Sequence, residues 1–176
     1  LTGGRLADAT SIATALAISE PISWGILFYG FGVMVTPTQT EMGWSRAEIT
    51  FAFSLAMLIS GLTAGPVGRW LDRHGARGLM TVGSILATLL VIAWANVQTL
   101  WGFYLVWAAI GVIMAAVLYE PAFAVIATWF VRKRTTALTV LTFGGGLASV
   151  VFVPLATWLV GQYGWREALL ILAGLL

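Results

Sequence analysis

Two glutamates stand inside long apolar stretches, and each is followed directly by proline. Glu20-Pro21 and Glu120-Pro121 interrupt runs that carry no other charge. An ionised side chain at the centre of a bilayer costs at least about 2.5–3.5 kcal/mol on insertion scales, so such groups usually face a cavity or a partner. Proline removes a backbone donor, which is tolerated where a helix bends over a hydrated space. Reversible protonation is the chemistry these carboxylates could perform, because burial at low dielectric disfavours their charged form.

Aromatic side chains accompany the two glutamates. Trp24, Phe28 and Phe31 follow Glu20 at helical spacing and would extend an aromatic wall along one face. Packing is the alternative interpretation of this stripe, as structural pairing is for the glutamates. The predicted substrate or proton pathway comprises Glu20, Trp24, Tyr119 and Glu120.

The elements that position these residues are long apolar helices. Hydrophobic residues make up 60% of the chain and charged residues only 9%, far below the roughly 25% charged content of soluble domains. Each complete run reaches the roughly 17–25 residues that a helix needs to cross a bilayer. The predicted helices are 12–35, 49–67, 79–97, 100–131, 136–160 and a truncated sixth at 168–176. We therefore predict an all-α polytopic membrane protein in which residues 1–176 form a single transmembrane domain.

Other classes of protein have little support in the sequence. A pI of 9.4 could suggest nucleic acid, yet the net charge is only +2 and the basic residues fall between apolar runs. The single histidine, His74, lies in a predicted loop, and no Gly-x-Ser-x-Gly element occurs, so we expect no enzyme. No ligand cluster predicts a metal or another cofactor, and the absence of cysteine removes thiolate chemistry.

Lysine and arginine are distributed unevenly between the predicted loops. Seven of the nine fall in the N-terminal tail and the second and fourth loops, and two in the first and fifth loops. Basic residues are enriched in cytoplasmic loops. This distribution predicts a cytoplasmic N-terminus for an integral protein of the plasma (inner) membrane.

A short charged segment separates the second and third apolar runs. It reads Gly68-Arg-Trp-Leu-Asp-Arg-His-Gly-Ala-Arg77. Gly75 can enter the positive-φ conformation that a tight turn needs. The pattern G-x-x-x-D-R-x-G-x-R resembles the signature loop between helices 2 and 3 of the major facilitator superfamily of secondary transporters. The resemblance implies a cytoplasmic gating loop formed by Gly68, Asp72, Arg73, Gly75 and Arg77.

That resemblance carries further implications. Asp72 would pair with an arginine and a helix N-terminus of the other half, and Gly68 would permit the close contact. Ala76 departs from the pattern, because many members carry a basic residue there. The chain would be the N-terminal six-helix half of a twelve-helix transporter, built from 3+3 inverted repeats, and its C-terminal half would be missing. The only alternative to a gate is a solvated loop that sets topology.

Two further segments are similar to the monocarboxylate porter and oxalate/formate antiporter branch: Gly43-Trp44-Ser45-Arg46-Ala47-Glu48-Ile49, and Trp129 to Arg134 leading to Gly144–Gly146. Drug/proton antiporters instead carry an arginine on helix 4, where this chain has Trp107. The resemblance implies transport of a small organic anion, such as a monocarboxylate, by alternating access with possible coupling to protons. Efflux of drugs or other small molecules and a non-transporting membrane scaffold stay open as alternatives.

A faint internal repeat agrees with the inverted architecture. Trp70-Leu71, Gly75 and Arg77 after the second run are echoed by Trp158-Leu159, Gly164 and Arg166 after the fifth. Inverted three-helix units place two such copies on opposite membrane faces. The repeat therefore predicts two related turns at opposite ends of the bundle.

Overall fold

The computed structural model describes residues 19–118 and 134–176, and these residues are helical apart from short connections. A π-helical turn at Gly25–Tyr29 interrupts the first helix. The α-helices are then α1 (Gly30–Met42), α2 (Arg46–His74), α3 (Ala76–Ala95), α4 (Leu100–Val117), α5 (Arg134–Tyr163) and α6 (Trp165–Ala173). Within the described ranges the segments long and apolar enough to cross a membrane are Arg46–His74, Gly78–Ala95, Leu100–Val117 and Gly146–Tyr163. Helices suit lipid because they satisfy every backbone polar group internally.

Several helices extend beyond the bounds expected from hydropathy. The first continues to Met42 rather than ending at 35, and α2 covers Arg46–His74 rather than 49–67. Helix α6 starts at Trp165 rather than 168. Apolar runs mark only the part of a helix that lies in hydrocarbon, whereas the helix itself continues until its backbone hydrogen bonds end. The end of the fourth predicted helix, 119–131, lies outside the described residues.

Specific residues fix the helix ends. Ser45 caps α2: its Oγ accepts a hydrogen bond from the Glu48 N–H at 3.2 Å, while Glu48 Oε2 accepts one from the Ser45 N–H at 2.8 Å. This reciprocal capping box satisfies two backbone donors. Thr99 Oγ1 likewise accepts the Gly102 N–H at the start of α4, at 3.1 Å. The segment Gly43–Glu48 thus connects the end of α1 to the capped start of α2.

Small residues bring the helices close together. A Cβ at Gly111 of α4 would overlap the backbone of Ala56 on α2, and a Cβ at Gly83 of α3 would overlap Val117 of α4. Helix α4 therefore packs against both α2 and α3, while α6 packs on α3 and α5. In lipid, where no hydrophobic force joins helices, such close approach supplies the van der Waals contact that holds them.

Aromatic rings fill the centre of the bundle. Trp107 is fully buried. Its ring packs edge to face against Trp94, with centroids 4.8 Å apart, and against Phe31, with centroids 4.7 Å apart. Such pairs add to the energy of burial. Large apolar side chains on the outside remain exposed, among them Leu62, Trp101, Leu105, Phe143 and Val150. An apolar core with an equally apolar outer surface is the pattern of a protein that lipid surrounds.

Candidate functional site

Glu20 lies inside the bundle despite its charge. Its side chain is 1% exposed, and Ser23, less than one turn further along, is 7% exposed. The π-helical turn begins just after them, and α5 packs against that turn. The structure therefore buries the first of the two predicted glutamates between membrane helices. Tyr119 and Glu120 lie outside the described residues.

The aromatic stripe predicted after Glu20 forms a continuous chain of rings. Trp24 and Phe28 have centroids 5.1 Å apart, and Phe28 continues to Phe53 of α2 at 5.2 Å. Phe31 also stacks on Phe53, at 4.8 Å, and is 6% exposed. Trp24 and Phe28 are partly buried. Phe31 thus belongs to the packed core, whereas Trp24 and Phe28 retain some exposed surface.

The segment predicted as a charged loop is almost entirely helical. Arg69, Asp72 and Arg73 belong to the last turns of α2, and only Gly75 separates α2 from α3. Gly75 has φ +81° and ψ 168°, a region open essentially to glycine alone. The one-residue connection, which we name the Gly75 turn, needs no loop because glycine reverses the chain within a single residue. The backbone of Arg77 is in α3, and its side chain lies outside what the structure describes.

Charged groups near the Gly75 turn are exposed to solvent. Asp72, Arg73 and His74 are all exposed, and none of them forms an ion pair with another described side chain. A cavity of about 260 Å³ lies beside them, lined by Pro66, Arg69, Trp70, Arg73 and His74. No neighbouring atom lies within 4 Å of the Cβ position of Gly68. This end of α2 therefore has exposed charged side chains and open space around Gly68.

The sequence did not indicate the contacts at the start of α6. Arg166 Nε donates to Glu41 Oε1 at 2.7 Å, and its guanidinium also reaches the carbonyls of Ala95 and Val97. Trp165 Nε1 donates to the other oxygen of Glu41 at 2.6 Å. The hydrogen bond from Arg166 is the main reason that the pKa of Glu41 lies below its usual value. We name these five residues the Arg166 clamp.

The clamp joins three helix ends on one side of the bundle. Glu41 lies in the last turn of α1, Ala95 ends α3, and Arg166 lies in the first turn of α6. Gly75 lies at the opposite end of the 20-residue helix α3, roughly 30 Å away. The signal that sequence reasoning could have used was an acid beyond the end of one apolar run and a Gly-Trp-Arg triplet after another.

The clamp follows a second turn with the same backbone as the first. Gly164, which alone separates α5 from α6, has φ +85° and ψ 166°, within 4° and 2° of Gly75. Pro66 and Trp70 precede Gly75, and Pro154 and Trp158, with the same spacing between them, precede Gly164. The two helical hairpins thus share geometry and sequence at opposite ends of the bundle, as the internal repeat predicted.

A bundle of long apolar helices, with a buried carboxylate and inverted hairpins, defines a polytopic membrane protein. The family model described as Major Facilitator Superfamily matches residues 14–176, and the chain belongs to that family. It is 28% identical to Monocarboxylate transporter 11 of Mus musculus over 92% of this chain and 36% of that protein. It is 32% identical to Riboflavin transporter MCH5 of Saccharomyces cerevisiae over 61% of this chain and 21% of that protein.

A third relative is named as an efflux protein. The Fujikurins efflux protein of Gibberella fujikuroi is 29% identical over 75% of this chain and 27% of its own length. The chain spans about a third of the length of the curated relatives that it matches over most of its residues. The comparisons therefore establish a transporter family of integral membrane proteins, and resemblance to its monocarboxylate branch.

Proposed function

We propose that this chain forms part of a secondary carrier, not an enzyme, which moves a small organic anion of the monocarboxylate class by alternating access and couples its movement to protons. The buried carboxylate of Glu20 carries this proposal. It lies inside an apolar helix, 1% exposed, next to a break in α-helical geometry. Such a group in a membrane helix marks an ion or substrate pathway by default.

Charge explains how Glu20 could link a proton to an anion. An ionised Glu20 repels an anionic substrate, and protonation removes that repulsion, so the two species would move together. Trp24 and Phe28 would form the apolar wall of the pathway, with Tyr119 and Glu120 contributed by helix 4. The five predicted spans contain no lysine or arginine. A positive group that binds the anion would therefore come from another part of the full-length protein.

The Gly75 turn would act as the cytoplasmic gate. Asp72, Arg73 and Arg77, together with the open surface at Gly68, would dock on the other half of the transporter in one state and separate from it in the next. Exposed glycines continue this face further along α2, where Gly61 also has open space around it. As part of this proposal, the N-terminus lies in the cytoplasm and the protein lies in the plasma (inner) membrane.

The test is uptake by the full-length protein in proteoliposomes. We expect accumulation of a radiolabelled monocarboxylate when the exterior is acidic, and we expect Glu20→Gln to abolish the pH dependence of uptake. Glu167→Gln, which removes an exposed carboxylate at the start of α6, is the matched control and should behave like the native protein. Unchanged pH dependence in Glu20→Gln would show that Glu20 is not the coupling residue.

A larger planar or apolar solute is the second candidate substrate. The partly exposed rings of Trp24, Phe28 and Tyr29 lie next to one another, with Trp24 and Tyr29 centroids 6.4 Å apart. Relatives named as a riboflavin transporter and an efflux protein have similar sequences. Competition between monocarboxylate uptake and an aromatic solute separates the candidates: loss of competition in Trp24→Ala with monocarboxylate uptake retained would assign the rings to the larger solute.

A further inference from the structure

The π-helical turn changes which way Glu20 and Trp24 face. The Gly30 N–H donates to the carbonyl of Gly25, five residues earlier, rather than to a carbonyl four residues earlier. The turn therefore holds one more residue than an α-helical turn. Since one residue corresponds to about 100° of rotation, residues before the turn are rotated by about that angle relative to a continuous α-helix. The direction of Glu20 depends on this turn.

Phe152 of α5 lies against the first residue of the turn. A Cβ built at Gly25 would overlap Cγ and Cδ2 of the Phe152 ring and its Cβ as well. Gly25 is buried, and Phe152 is 7% exposed. The ring thus occupies the space that any side chain at position 25 would need, and α5 touches the π-helical turn directly.

The corresponding crossing in the other repeat is built differently. There Gly111 of α4 meets backbone atoms of Ala56 on α2. Contact between two backbones cannot change without moving a whole helix. A phenylalanine ring on a glycine can instead slide or rotate when α5 shifts, and Pro154, two residues further on, removes a backbone hydrogen bond that would stiffen α5 there.

We propose that Gly25 and Phe152 are positioning residues of the pathway: the Phe152 ring, seated on Gly25, holds the π-helical turn and so sets the direction in which Glu20 and Trp24 face. Movement of α5 would then rotate this part of helix 1. The inference rests on the proposed function of Glu20. Unusual π-helical turns inside helices are frequent at functional sites.

The experiment compares two glycine substitutions in the same helix of the full-length protein. Gly25→Ala should clash with Phe152, whereas Gly32→Ala is the matched control because nothing lies within 4 Å of its Cβ position. We expect Gly25→Ala to lower the rate of uptake about 10-fold and to shift the pH midpoint of uptake. Gly25→Ala/Phe152→Ala should recover part of the rate, because the clash with the ring is removed. Its pH midpoint should stay shifted, because the ring that sets the direction of Glu20 is gone. A lowered rate with an unchanged midpoint would mean packing alone and would overturn the proposal.

A second readout does not depend on proton coupling. Ser23→Cys, in a full-length background without other cysteines, reports the rotation of the turn through its rate of maleimide labelling. We expect that rate to change in Gly25→Ala and to stay constant in Gly32→Ala; equal rates would contradict the proposal. If Gly25→Ala is polydisperse on size exclusion, Phe152→Ala alone must change the labelling rate. Failure of the proposed function appears separately, as uptake by Glu20→Gln with native pH dependence.

Discussion

The Gly75 turn and the Gly164 turn have nearly the same backbone and opposite chemistry. Both reverse the chain at one glycine with φ above +80°. Near Gly164, Arg166 is bound to Glu41 and to the carbonyls of Ala95 and Val97. At Gly75 the neighbouring Asp72 and Arg73 are exposed and form no ion pair with another described side chain.

This difference shows how one hairpin can serve two purposes. A hairpin whose arginine pairs with a glutamate of its own bundle holds helices α1, α3 and α6 together at one end. A hairpin whose charges face outward can bind a partner and release it, because it does not depend on that partner for its own turn. The repeat supplies the geometry, and the side chains near the glycine determine whether they are bound within the bundle or exposed.

Arg166→Ala should have the largest effect on stability. It leaves Glu41 with Trp165 as its remaining donor and removes the guanidinium donor of the Ala95 and Val97 carbonyls. Hydrogen bonds to charged groups contribute about 1.5–3 kcal/mol each, so we expect a loss of about 3 kcal/mol. Thermal unfolding in detergent measures it. Arg166→Lys, which keeps the charge but not the planar fork, should recover only part of the loss. A native melting temperature in Arg166→Ala would mean that the clamp does not hold the bundle.

Alanine at either turn glycine should destabilise the protein by a similar amount. Both positions have a backbone conformation that costs a non-glycine residue about 1–3 kcal/mol, and no atom lies within 3.4 Å of either Cβ position. Gly75→Ala and Gly164→Ala should therefore lower the melting temperature equally. Gly32→Ala serves as the reference for a glycine in a helix. A large difference in melting temperature between the two turn variants would show that the hairpins are not structurally equivalent.

Acid should weaken the Gly164 end through Glu41. The hydrogen bond from Arg166 lowers the pKa of Glu41 in the folded protein, so its stabilising contribution is present above the ordinary pKa of 4.5 and is lost as pH falls through the lowered value. The stability difference between the native protein and Glu41→Gln should be constant near neutral pH and disappear in acid. Melting curves at several pH values test this; a difference that grows in acid would contradict it.

Arg73→Ala should have the smallest effect on stability. Its side chain is exposed, and surface substitutions away from specific contacts usually change stability by less than about 0.5 kcal/mol. If the Gly75 turn docks on another part of the transporter, the variant should nevertheless slow uptake. A stability loss comparable to that of Arg166→Ala would remove the distinction between the two turns.

The sequence predicted the helical membrane fold and the inverted turns, because long uncharged runs and the spacing of tryptophan, glycine and arginine are local patterns. It misjudged helix ends. Arg69, Asp72 and Arg73 look like loop residues by charge, yet a helix can continue into water while its backbone bonds persist. Hydropathy reports the solvent around a helix, not where the helix stops.

Features that depend on contacts between distant segments could not be predicted. Glu41 and Arg166 are 125 positions apart, and no local pattern joins them. The π-helical turn was also missed, since the Phe152 ring that packs against it lies on another helix. For Glu20 the prediction of burial agrees with the structure, while the roles of Glu20, Trp24, Tyr119 and Glu120 in transport stay predictions.

The one-residue connections at Gly75 and Gly164 also bear on biogenesis. Each connection is a single residue, so its two helices cannot separate. The second helix of a pair must therefore fold back as soon as the first has left the ribosome. We expect α2 with α3, and α5 with α6, to leave the insertion machinery for the lipid as joined pairs rather than singly. A tag spliced into either connection would separate such a pair before it reached the membrane.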